Sequence, residues 1–243
     1  MADDAGASIP VERLAANLRR VREQIAEAAA KSARAPDAVT LVAVTKYVGI
    51  DEVRELLRLG VKELGENRVQ PAQPKIQALR AEVAGCGARW RLIGHLQTNK
   101  ARAALQDFAA LDALDSIHVL EAVAKEARKL GRAAVPCLAE LNLSREPQKF
   151  GLKPGDLKEF LARAADLPEC DVIGLMAMTP WADNPEPTSR PLFRALREAL
   201  NEANAGNWYR SPLRELSMGM TQDFAIAVEE GATMVRIGTA LYH

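Results

Sequence analysis

Residues 39–46 read Val39-Thr40-Leu41-Val42-Ala43-Val44-Thr45-Lys46. Apolar and β-branched residues follow one another here without polar alternation, which is how a strand reads when both faces are covered, as in a parallel sheet wrapped by helices. The lysine that closes the run then falls at the carboxyl end of a strand. Upstream, over 11–31, Leu14, Leu18, Val21 and Ile25 recur at three- and four-residue intervals and predict an amphipathic helix ahead of any strand.

Downstream the two patterns take turns. Apolar runs over 61–64, 90–93, 113–117 (the weakest), 135–143, 172–178, 213–217 and 234–237 alternate with helix-like stretches over 51–59, 74–83, 101–106, 119–130, 156–165, 192–203 and 223–230. With the first run this makes eight strands, and the rhythm predicts an α/β fold, a single (β/α)8 TIM barrel with an extra N-terminal helix. A doubly wound open sheet is the second reading. We expect a loose tail over 1–9 and one domain over 10–243. The Pro-rich stretch 180–191 lies between a strand and its helix, where it reads either as a border of a site on the barrel rim or as a plain connector.

The composition narrows the function classes. A chain of 243 residues with 48% apolar content is the size of one barrel domain. Lys plus Arg and Asp plus Glu are each 32, so no net field draws the protein to nucleic acid or an anionic membrane, and any anion must be caught locally. No stretch approaches the roughly 20 apolar residues that span a bilayer, and the start lacks the basic and apolar regions of a signal peptide. Cys86, Cys137 and Cys170 are an odd number without C-x-x-C spacing, which fits a reducing cytoplasm and neither a disulfide framework nor a zinc site.

Chemistry gathers at the strand ends. Lys46 is expected at the mouth of an apolar barrel, where desolvation favours the neutral amine needed to form a Schiff base with an aldehyde. Its position alone fits a solvated lysine better, so the reading needs company. Ser217-Met218-Gly219-Met220-Thr221 supplies it after the seventh strand: a hydroxyl, a glycine turn and a helix start are the parts of a phosphate cradle, while an N-capping Thr221 is the plain alternative. The eighth strand ends in Val235-Arg236-Ile237-Gly238-Thr239-Ala240. Phosphate sites recur after strands seven and eight of barrels, and a buried Arg236 needs either a carboxylate or a ligand.

Leu64-Gly65-Glu66-Asn67 and Ile93-Gly94-His95-Leu96-Gln97-Thr98-Asn99-Lys100 put further polar groups on the same rim. Asn67 can hydrogen-bond a ring substituent, Thr98 reads as a helix cap, and Glu66, Gln97 and Asn99 read as structural. His95, His118 and His243 are too scattered for a metal centre or a catalytic triad, and neither H-E-x-x-H, a Walker A loop nor G-x-G-x-x-G occurs.

Taken in order along the chain, residues 41–46, 65–67, 93–100, Gly174-Leu175-Met176, 216–220 and 234–240 resemble the pyridoxal phosphate homeostasis protein family, whose fold is like the N-terminal barrel of alanine racemase. The resemblance implies pyridoxal 5′-phosphate (PLP) as cofactor, with Lys46 as the Schiff-base lysine. It implies that Ser217, Gly219, Met220, Gly238 and Thr239 hold the phosphate, that Arg236 faces the pyridine nitrogen and that Asn67 lies near the ring. It further implies buffering or delivery of PLP to apo PLP-dependent enzymes, by a monomer or weak homodimer, without catalytic turnover. An arginine beside the pyridine nitrogen agrees with this, because it disfavours protonation there and weakens the ring as an electron sink. The chain ends at Leu241-Tyr242-His243, with no second domain like the one that completes the site of barrel racemases. A racemase or lyase on the same cofactor, and an aldolase using Lys46 directly, stay as the enzymatic alternatives.

Overall fold

The computed structural model describes residues 9–144, 146 and 150–243, so that positions 1–8 of the expected tail lie outside the described residues. The first amphipathic segment is α1 (Val11–Lys31). Its stripe of Leu14, Leu18, Val21 and Ile25 is buried, and each such side chain contributes about 1.5–3 kcal/mol by leaving water.

The chain then alternates as β1 (Thr40–Val44), α2 (Ile50–Arg58), β2 (Glu63–Glu66), α3 (Val69–Gly85), β3 (Arg89–Leu92), α4 (Ala101–Asp107), β4 (Ala110–Leu114), α5 (Ile117–Lys129), β5 (Val135–Leu141), α6 (Leu157–Ala165), β6 (Cys170–Ala177), α7 (Glu186–Ala205), β7 (Glu215–Ser217), α8 (Phe224–Glu229) and β8 (Met234–Ile237), ending in a short α9 (Thr239–Tyr242). Consecutive strands pair in parallel, and β8 returns to β1 in the register Thr40↔Met234, Val42↔Arg236 and Ala43↔Ile237. That pairing closes the barrel and removes the two free edges an open sheet would have.

Residues opposite one another in a parallel ladder point to the same face. Val42 lies opposite Glu63 and Arg236, Gly65 opposite Arg91, and Glu140, Met176, Ser217 and Met234 follow one another across β5 to β8. Val42, Ile93 and Met234 cluster inside the barrel, so this whole set faces the axis. Gly65 makes room there, since a Cβ would stand 3.0 Å from Val42 Cγ1 and 3.1 Å from Ile93 Cδ1. The interior is therefore not simply apolar, as the sequence reading expected. Arg91 donates through Nε and Nη2 to the two Asp112 oxygens, each at 2.7 Å, and through Nη1 to Glu63 Oε2 at 3.1 Å. Burial opposes the charge on Arg91, but Asp112 and Glu63 outweigh it and its pKa is raised.

Three elements differ from the sequence reading by three residues or more at an end. The fourth strand is Ala110–Leu114 rather than 113–117, because Asp112, which reads as a break, is a buried partner of Arg91. The third helix begins at Val69 and carries Pro74 inside it; Val69 and Ala72 extend the buried stripe of Ile76 and Leu79 ahead of the proline. The seventh begins at Glu186 with Pro191 inside, so the Pro-rich connector is shorter than the expected 180–191.

At the β8–β1 seam, α1 packs on α2, α8 and α9. Asn17, the polar member of its buried face, donates through Nδ2 to Leu241 O and His243 O, both at 3.1 Å. Tyr242 Oη donates to Val44 O at 3.0 Å, tying the last helix to the end of β1. Among the described residues no helix is long and apolar enough to cross a membrane.

Candidate functional site

Lys46 leaves β1 two residues beyond Val44 and is exposed, with Nζ 4.7 Å from the centroid of the Tyr47 ring. The expected desolvation is corrected by this placement: Val42, Val44, Ile93 and Met234 fill the axis below, leaving the amine on the open rim. Its backbone is held tightly. Thr45 O accepts from Lys75 Nζ at 2.6 Å and from Val48 N at 3.1 Å. Glu66 Oε1 accepts from both Lys75 Nζ, at 2.8 Å, and Thr45 Oγ1, at 2.7 Å. Sequence reasoning missed Lys75, whose position on α3 looks like any surface lysine until the fold brings it under Thr45.

The turns after β7 and β8 are stitched together beside this segment. Arg236 N donates to Gly219 O at 3.0 Å, and Ala240 N donates to Thr221 Oγ1 at 3.3 Å. Thr221 is thus not the helix cap. Asp223 occupies that position, its Oδ1 accepting from Met220 N at 2.8 Å and its Oδ2 from Thr179 Oγ1 at 2.5 Å and Ser189 Oγ at 2.8 Å.

The two glycines differ in what requires them. Gly219 has φ +91°, and a Cβ there would stand 2.5 Å from Ala227 Cβ, so conformation and packing on α8 already demand glycine. At Gly238 an added Cβ would meet nothing nearer than Val44 Cβ at 3.5 Å, and the turn lies open. Among the described residues, no acceptor takes the N–H of Gly219, Gly238 or Thr239. Such unsatisfied donors in a concave turn favour an anion.

Arg236 is buried, and Nη1 donates to Ser217 Oγ at 2.7 Å while Nη2 donates to Ala177 O at 2.9 Å. Both partners are neutral. Burial pulls its pKa down, opposed by the more distant Asp112, Glu140 and Asp223. Glu140 lies on the inner face of β5 and is 2% exposed, and its carboxyl has no hydrogen bond or ion pair among the described residues. Burial, then Asp115, push it up to about 7 against the pull of Arg236. Sequence reasoning missed it because residues 135–143 read as one apolar strand.

Asn67 is half-buried at the end of β2, and its backbone is so close to Gly94 that a Cβ there would stand 2.4 Å from Asn67 O. On the far side of the mouth, His95 Nδ1 lies 2.5 Å from Asp115 Oδ2, and its ring stacks on Phe150 at 3.7 Å. Thr98 makes no capping hydrogen bond. The structure thus gathers Lys46, Ser217, Gly219, Met220, Arg236, Gly238 and Thr239 on the adjoining ends of β7, β8 and β1, with Asn67 one strand further on.

The alanine racemase N-terminal domain model matches residues 9–243. A pyridoxal phosphate homeostasis protein of Aquifex aeolicus is 38% identical over 225 residues, covering 93% of this chain and 95% of its own. Among solved structures, PipY of Synechococcus elongatus with PLP bound has 32% identity and a TM-score of 0.81 over 95% of this chain and all of its own length. An alanine racemase of Clostridium difficile, 14% identical with a TM-score of 0.72, shares the fold over 96% of this chain and 57% of the racemase.

Proposed function

The chain belongs to the alanine racemase N-terminal domain family, and within it to the pyridoxal phosphate homeostasis proteins; from this we propose that it holds PLP as cargo, attached through Lys46, and takes part in PLP homeostasis without catalytic turnover. The observation that carries the reading is Arg236, a buried cation with no carboxylate in ion-pair reach among the described residues. A buried charge without a counter-ion is costly unless a ligand completes it. The unsatisfied N–H groups of Gly219, Gly238 and Thr239 and the lysine on the neighbouring strand end fit the other two functional groups of PLP. PipY, solved with PLP bound, supports the same ligand.

When bound, PLP supplies an aldehyde open to attack by an amine and a phosphate that needs neutralising. Lys46 provides the amine. Gly219, Gly238 and Thr239 hold the phosphate by backbone donors, with the Ser217 hydroxyl and the turn at Met220, whose own N–H is spent on Asp223, beside them, and Asn67 orients a ring substituent. Arg236 donates towards the ring nitrogen and keeps it unprotonated, which discourages carbanion chemistry and suits a carrier. Apo PLP-dependent enzymes of the cytoplasm are the recipients in this reading, and the carrier is a monomer or weak homodimer.

Purified protein reconstituted with PLP is expected to show a visible absorption band that Lys46→Ala abolishes. A band that survives the substitution overturns the lysine assignment. Amino-acid turnover that exceeds free PLP and disappears in Lys46→Ala overturns the carrier reading in favour of a racemase or lyase.

A further inference from the structure

Glu140 is the one acid on the inner faces of β5 to β8 that nothing in the fold employs. It is 2% exposed, it shares a face with Met176 and Ser217, and Ser217 in turn accepts from Arg236 Nη1 at 2.7 Å. Its carboxyl nevertheless makes neither a hydrogen bond nor an ion pair among the described residues, while Arg236 spends its own donors on Ser217 Oγ and Ala177 O. Two buried ionisable groups on the inner face of the barrel, left unpaired with each other, are arranged for something placed between them.

We propose that Glu140 is a further ligand contact, a carboxyl that hydrogen-bonds a polar substituent of the pyridine ring as the neutral acid and loosens the ligand when it ionises. The inference rests on the PLP reading and extends it, because it makes retention of the ligand depend on a proton held by the protein. As the acid, Glu140 is a donor and adds no negative charge beside an anionic ligand. As the carboxylate, it offsets Arg236 and repels the phosphate.

Among the described residues, the surrounding charges leave Glu140 as the free one. From β4, Asp112 is engaged by Arg91 at 2.7 Å, and Asp115 is held 2.5 Å from His95 Nδ1. Arg91 of β3 is shared between Asp112 and Glu63. Asp223, after β7, is used by Thr179, Ser189 and Met220 N. From β6 and β7 the facing residues Met176 and Ser217 are neutral, β8 contributes Arg236, and the loop after β5 carries Glu146, which has a partner of its own. A carboxyl with like charges near it and no bonded counter-ion is stabilised in its neutral form, and its pKa of about 7 agrees.

The test uses pyridoxine 5′-phosphate, which keeps the ring and phosphate but lacks the aldehyde, so that attachment to Lys46 drops out. Its dissociation constant is measured by calorimetry at about pH 6 and pH 8.5 with wild type, Glu140→Gln and Glu140→Leu. Wild type is expected to weaken with rising pH about tenfold more than Glu140→Gln, the equivalent of one pKa unit of coupling. Glu140→Leu is expected to bind more weakly than Glu140→Gln at both values. Titration of the phosphate itself is common to all three proteins and cancels in the comparison. Equal pH dependence in wild type and Glu140→Gln, or equal affinity in Glu140→Gln and Glu140→Leu, overturns the inference while leaving PLP binding intact. Failure of wild type to bind either pyridoxine 5′-phosphate or PLP overturns the functional reading on which it rests.

Discussion

Glu140 and Arg236 are buried charges that the ligand-free barrel accommodates at a cost, and the cost of the first can be measured. Its folded pKa of about 7 lies above the reference value of 4.5, so the unfolded chain releases this proton at lower pH than the folded one. Stability is therefore full below about 4.5, declines as pH rises towards 7 and stays lowered above it. Glu140→Gln removes that penalty. In chemical denaturation of the ligand-free protein it is expected to gain up to about 3 kcal/mol over wild type at pH 8 and almost nothing at pH 4.5; an equal difference at both values contradicts burial as the cause. The placement of Lys46, Arg236 and Gly238 at strand ends was legible from sequence, because polar groups and glycines at the carboxyl ends of barrel strands stand out against apolar runs. Glu140 and Lys75 were not: one is hidden inside such a run, and the other acquires its role only when α3 lies under Thr45. The environment of Lys46 was misread for a related reason, since one strand does not reveal that side chains from β1, β3 and β8 fill the axis beneath it.

At the scale of elements, the alternation of buried strand and amphipathic helix was readable throughout, and the errors fall where a polar residue is buried. Asp112 shifted the expected fourth strand by three residues, from 113–117 to Ala110–Leu114, because hydrophobic periodicity counts an acid as exposed. The structure instead pairs it with Arg91 inside the barrel. Asp112→Ala leaves that guanidinium with Glu63 alone, and loss of one partner of a buried pair costs about 3–5 kcal/mol. Chemical denaturation is expected to show a loss of that size, whereas a loss under about 1 kcal/mol, typical of exposed pairs, contradicts the interior placement. Helix starts are hidden for a different reason, since a proline reads as a helix boundary: the buried stripes Val69, Ala72, Ile76 and Ser189, Phe193, Leu196 run past Pro74 and Pro191.

For the whole molecule, closure is what brings the site together: β1 and β8 lie at opposite ends of the domain in sequence, and their pairing sets Val44, two residues before Lys46, against Gly238. The count of eight strands pointed to closure, and the resemblance named the ligand, but the seam itself, with Asn17 holding the last helix and Tyr242 holding Val44, was not legible. No local pattern encodes a contact between residues separated by most of the chain. A ligand that bridges β7, β8 and β1 stabilises the closed barrel by mass action, about 2.7 kcal/mol at 100 times Kd. Thermal unfolding is expected to shift upward with PLP in wild type and much less in Lys46→Ala; identical shifts would place the binding energy elsewhere. The most direct test of attachment at this rim is borohydride reduction of the PLP-loaded protein followed by peptide mapping. A single modified peptide bearing the pyridoxyl group on Lys46 is the predicted result, and a label on Lys75 or another lysine, or no stable label at all, contradicts it.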